Sequence, residues 1–195
     1  MSVKRAASRT GTKERILEVA TGLMQARGLH GFTFQDVAAA LGVTHVAVHH
    51  HYKTKAALVE AAMLAYTERF SAELEQIAAS DEAPLEQLRR YAALFEAVVQ
   101  TGDRICLCGV LAAELATVPG PVQPAVRAFY DVNEAWLARV IGRHVGKRSS
   151  SARVQQVAKA FLAMLEGAVI SARAFGDPGR LSSAAQWWID ALEAS

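Results

Sequence analysis

Residues 33–58, TFQDVAAALGVTHVAVHHHYKTKAAL, hold two short apolar stretches on either side of Leu41-Gly42-Val43, and no other segment restricts the fold as strongly. Phe34, Val37, Ala38 and Leu41 recur at i, i+3, i+4 and i+7, the spacing that aligns side chains on one face of a helix. Thr33 stands where an N-cap belongs, and Asp36 three residues on favours the positive end of the helix dipole. Gly42 supplies a stop and Thr44 a second cap. Helix, glycine turn and short helix together form the layout of a helix-turn-helix.

The remaining chain is also helical in period. In 12–27, Ile16, Val19, Ala20, Leu23 and Met24 share a face and Gly28 follows. A long helix is expected over about 55–80 and another from Pro84, a residue suited to a first helical turn, to about 101–102. Further helices are expected over 105–117, 123–145, 152–175 and 181–192, broken at Pro119-Gly120-Pro121, at 146–151 and at Gly176-Asp177-Pro178-Gly179. With no β-type alternation and no internal repeat, the chain reads as all-α with about nine helices.

The motif is more specific than its layout. Thr33, Val37-Ala38, Gly42-Val43-Thr44, His50-His51-Tyr52, then Thr54-Lys55 and Leu58 follow the pattern of one family's DNA-binding domain. Over about residues 12–60 the chain resembles the TetR family of bacterial transcriptional regulators. That resemblance implies an N-terminal three-helix helix-turn-helix domain with a basic arm (1–54) and a C-terminal helical ligand-binding and dimerisation domain (55–195). It further implies a homodimer built through the last two helices, a palindromic double-stranded DNA operator, and a small effector that releases it. Two recognition helices in such a dimer sit roughly 34–36 Å apart, one DNA turn. The apolar breadth of 152–175 and Trp187, Trp188 and Ile189 beyond it agree with a dimer seam.

Charge supports the same division. The net charge is only +2, but residues 1–55 carry +5 and the remainder −3, and five of the six histidines precede residue 52. A basic head suits phosphate. The expected DNA contacts are Thr33, Thr44, His45, Ala47, Val48, His49, His50, Lys53 and Lys55. Val46 and Ala47 suit thymine methyls, and Lys55 and Thr33 suit phosphates at helix N-termini. Lys4, Arg5 and Arg9 form a possible minor-groove arm or a solvated tail. This helix departs from the family's commoner pattern at His45, Val46 and His49, so the operator cannot be carried over.

For the effector, Met63, Tyr66, Phe70, Tyr91, Phe95, Phe129, Trp136 and Met164 are expected either to line an apolar pocket or to be plain core. Glu114 and Arg127 are candidate polar anchors. The segment 104–116, RICLCGVLAAELA, resembles one subgroup of the family, and Cys106 and Cys108 read either as small buried residues or as thiols activated by Arg104 toward oxidants or electrophiles. His45 and His49 have zinc-ligand spacing but no third ligand nearby, so no metal and no cofactor are expected. No phosphate loop, nucleophile elbow or metalloprotease motif points to an enzyme. No run of apolar residues is long enough to span a membrane, and no signal peptide is legible, so a cytoplasmic protein is expected.

Overall fold

The computed structural model describes residues 11–100 and 102–194, and among these it contains nine α-helices and no strand. They are α1 (Thr12–Arg27), α2 (Phe34–Leu41), α3 (His45–His51), α4 (Lys55–Ala78), α5 (Pro84–Val99), α6 (Leu107–Ala113), α7 (Gln123–His144), α8 (Ala152–Phe175) and α9 (Gly179–Glu193). A single 3₁₀ turn, Gly120–Val122, fills the proline break before α7. The candidate arm, Lys4, Arg5 and Arg9, lies outside the described residues.

Local chemistry sets the ends of the head helices. The Asp36 amide donates to Thr33 Oγ1 (3.3 Å) and the Thr33 amide to Asp36 Oδ2 (2.7 Å), a reciprocal capping box that satisfies two orphan donors of α2. Gly42 closes α2 in the left-handed region at φ 67°, which a Cβ would disfavour. Thr44 and Thr54 then cap α3 and α4 by accepting from Ala47 N–H (3.2 Å) and Ala57 N–H (3.1 Å). Ile16, Ala20, Met24, Phe32, Phe34, Val37, Val48 and Tyr52 form the core of this three-helix head, closed from below by Leu58 and Val59 of α4.

At 24 residues, α4 extends about 36 Å and runs from the head into the body. There it packs with α5, α6 and α7, while α8 lies between α7 and α9. Direct bonds also tie head to body at the C-terminal end of α1. The Ile105 amide donates to Gln25 O (3.2 Å) and Arg173 Nη2 to Ala26 O (2.8 Å). Last-turn carbonyls have no partner within their own helix, and here the body supplies it. Glu114 adds a third tie, accepting from the Leu29 amide through both oxygens (3.3 and 3.2 Å).

The helix expected over 105–117 is shorter than its apolar pattern. It starts at Leu107 because the Ile105 amide is engaged by α1, and it ends at Ala113, where Glu114 turns toward Leu29 and Thr117 folds back on the Glu114 carbonyl (2.8 Å). Similarly α5 stops at Val99, ahead of Gly102 at φ 96°.

Candidate functional site

Helix α3 is anchored on one side and bare on the other. Val48 is fully buried and Tyr52 nearly so, which fixes the helix on the head core. Thr44, His45, Val46, His50 and His51 are exposed, and Val46 is 75% exposed despite being apolar. This valine stands apolar and solvent-facing on a capped, seven-residue helix. His49 is half-buried, its ring packed edge-on against Phe34 and His45 with centroids 4.5 Å away in each case.

This geometry revises several expected contacts. Val48, expected among the DNA contacts, is instead fully buried and seats α3 on the head core. Ala47 is half-buried, with its amide used by the Thr44 cap. Thr33 is exposed, but its hydroxyl and amide are both directed at the Asp36 carboxylate (2.6 and 2.7 Å), a negative group where a phosphate was expected. Lys55 donates to the Phe32 carbonyl (2.6 Å) with its ammonium 4.3 Å from the Phe32 ring centre, so its charge staples the α1–α2 loop. Burial pushes Lys55 below the usual lysine range, against the pull of Glu114 and Asp36. Lys53 is exposed and free of such a tie. His51, absent from the expected contacts, belongs to the same exposed crest as His50.

The expected effector residues do come together, as packed core. Phe70 meets Tyr91, Phe95 and Phe129 at 6.0, 5.7 and 5.1 Å between ring centres, and Tyr91 stacks on Trp136 at 5.3 Å. Polar tips are satisfied inside: Tyr91 donates to Asn133 Oδ1 (2.8 Å) and Trp136 to Leu74 O (3.0 Å). Met63 is fully buried with them. Tyr66 and Phe70 also reach a cleft of about 550 Å³ between α1, α4 and α5, and Trp136 borders another beside Arg139 and Arg143. Thr21 lines the same cleft and its buried hydroxyl has no hydrogen-bond partner. Met164 borders a separate cleft between α8 and α9, and Arg127 is exposed. Glu114 is a head–body strut, as its bonds to Leu29 show.

Cys106 and Cys108 are both free and buried, with sulfurs 3.0 Å apart at the start of α6. The Arg104 guanidinium lies beside Gly22 of α1. Burial pushes the Cys108 thiol well up, and Cys106 and Glu166 push the same way. Cys108 donates to Glu166 Oε1 (3.0 Å), and the Tyr66 hydroxyl lies 3.3 Å from Cys106 Sγ. Sequence reasoning missed Glu166. Its only signal was a lone carboxylate within LAMLEGAVI, the most apolar stretch of α8.

Two family models cover most of the chain. Residues 16–62 match bacterial regulatory proteins of the tetR family, and residues 84–188 match the tetracyclin repressor-like C-terminal domain. The chain belongs to the TetR family. Among solved TetR-family structures, a TetR transcriptional regulator from Legionella pneumophila superposes with a TM-score of 0.87 at 27% identity, over 94% of this chain and 97% of that one. A regulator from Agrobacterium tumefaciens gives 0.84 at 26% identity, over 91% and 95%. The HTH-type transcriptional repressor KstR2 of Mycolicibacterium smegmatis is 26% identical over 108 residues, 55% of this chain and 53% of the relative. The chain thus spans about half the length of the curated relatives it matches. The TetR family is one of DNA-binding regulators, and it accounts for the head, the long linking helix and the helical body together.

Proposed function

We propose that the protein is a homodimeric transcriptional repressor that binds a palindromic operator and is released by a ligand of its body. The observation that carries the reading is α3: a helix seated by Val48 and Tyr52 that offers Thr44, His45, Val46 and His50 to solvent. Exposed imidazoles read bases and phosphates by hydrogen bonding, and Val46 suits a thymine methyl. Repression is favoured by the KstR2 relatives, which are named transcriptional repressors.

Dimerisation draws support from α8 and α9. Ile170 is 50% and Trp187 70% exposed, large apolar side chains that a second copy would cover. Burying the same patch on both chains gives a twofold interface and two heads facing one DNA side. Ligand control draws on the ties between body and α1, since a shift at Ile105, Glu114 or Arg173 is transmitted to the head. No helix among the described residues is long and apolar enough to cross a membrane, consistent with a cytoplasmic regulator.

The test is binding to a duplex from the protein's own promoter region against a random duplex across a salt series. Selective binding by two chains per site is expected. Unselective binding that vanishes with salt would sink the reading.

A further inference from the structure

The buried cluster on α6 and α8 has a composition that packing alone does not call for. Cys106 Sγ, Cys108 Sγ and a Glu166 carboxylate oxygen lie within 4.8 Å of one another, and all three residues are buried. Each becomes an anionic donor on losing its proton, and no salt bridge among the described residues reaches Glu166. The fold also makes room for the carboxylate. A Cβ on Gly109 would stand 2.5 Å from Glu166 Oε2, so a glycine at that turn of α6 is what lets the carboxylate approach the sulfurs.

We propose that Cys106, Cys108 and Glu166 form a binding site for a thiophilic divalent cation of the zinc and cadmium class. Two sulfurs and one carboxylate oxygen match the soft-to-borderline preference of these ions, while magnesium and calcium take oxygen ligands throughout. The spacing favours tetrahedral binding. With metal–sulfur bonds of about 2.3 Å, two sulfurs at the tetrahedral angle stand about 3.8 Å apart. Rotation of the two side chains supplies that opening from the present 3.0 Å. A two-coordinate monovalent ion needs sulfurs on opposite sides of it and leaves Glu166 unused. The fourth position falls to water, and the Tyr66 hydroxyl, 3.3 Å from Cys106 Sγ, is placed to donate to that thiolate from outside the coordination shell. Tyr66 is also a wall of the cleft between α1, α4 and α5, so the cluster lies one side chain behind that cleft.

The position of the site gives it a regulatory consequence, and this part rests on the protein being a DNA-binding regulator. Helix α6 carries the cysteines at its N-terminal end and Glu114, which holds the Leu29 amide of the head, just past its other end. An ion joining α6 to Glu166 on α8 therefore repositions the strut that the head leans on.

The experiment uses the full chain, metal-free and kept reduced by a phosphine, titrated with cobalt(II) and then with zinc. Thiolate-to-cobalt charge transfer and tetrahedral d–d absorption are expected, saturating at one ion per chain and bleached by zinc. Cys106→Ser and Cys108→Ser should each reduce the charge transfer, and the double serine variant should abolish it. Glu166→Gln should weaken binding about 10-fold or more while retaining it, and Gly109→Ala should do the same by displacing the carboxylate. Circular dichroism identifies any variant that has not folded. Absence of charge transfer in the reduced wild type overturns the site. Undiminished binding by the double serine variant overturns it too, and puts the ion elsewhere on the chain. Operator affinity is then compared with and without zinc, with a change of about 5-fold or more expected. An unchanged affinity overturns the regulatory part alone. Failure to bind the operator in either state overturns the repressor reading and leaves the metal titration to stand by itself.

Discussion

Replacing Val48 by alanine separates two roles that a short helix easily confuses. Val48 is fully buried, so the substitution removes two methyl groups from the head core. At about 0.8 kcal/mol for each carbon removed from a buried position, the transfer loss is about 1.6 kcal/mol. Incomplete collapse around the gap brings the total to about 2 kcal/mol. For a chain of this size each kcal/mol lowers Tm by about 2–4 °C, so a fall of about 4–8 °C is expected. The matched control is His45→Ala. His45 is exposed, so its loss should change stability by less than about 0.5 kcal/mol. Thermal melts report stability, and fluorescence anisotropy with operator and random duplexes reports readout. Val48→Ala should melt early yet keep the ratio of operator to random affinity at temperatures where it is folded. His45→Ala should melt normally and lose selectivity. A Val48→Ala protein with unchanged Tm and altered base preference would refute the assignment of Val48 to the core.

Four other outcomes follow from the same geometry. Asp36 is held below its ordinary value of 3.8, chiefly by the Thr33 hydroxyl and then the Thr33 amide, so the capping box contributes fully above that value and is lost as pH falls through the lower folded value. Asp36→Asn should therefore flatten the acid side of a stability–pH profile, and an unchanged acid limb would contradict the box. Lys55→Met should lower stability by about 1 kcal/mol through loss of the bond to Phe32 O, discounted for its partial exposure, with little change in the salt slope of DNA binding. Lys53→Ala, by contrast, should reduce that slope by about one; equal slopes for both variants would argue against this division. Trp187→Glu should yield monomers in sedimentation velocity with an unaltered helical spectrum, since the ring is largely exposed within one chain; an intact dimer would move the interface elsewhere.

Local sequence was sufficient for the family and for placing the helices, apart from the ends of α5 and α6. The periodicity of Phe34, Val37, Ala38 and Leu41, the caps at Thr33, Thr44 and Thr54 and the left-handed Gly42 are interactions within a few residues, so they are written where they act. Helices α1 and α8 begin and end where the pattern alone put them. What a side chain faces is a different matter. On a seven-residue helix every position is within one turn of both the core and solvent, and only the packing of α3 against α2 and the head core decided that Val48 goes in and Val46 out. The same holds for Lys55, whose partner is the Phe32 carbonyl 23 residues earlier, and for Glu114, which reaches Leu29 across 85. Glu166 meets Cys108 across 58 residues, a meeting fixed by how α8 crosses α6 and by the missing side chain at Gly109. Short-range hydrogen bonds and periodicity determined which segments are helical; long-range packing alone decided which of their polar groups stand together.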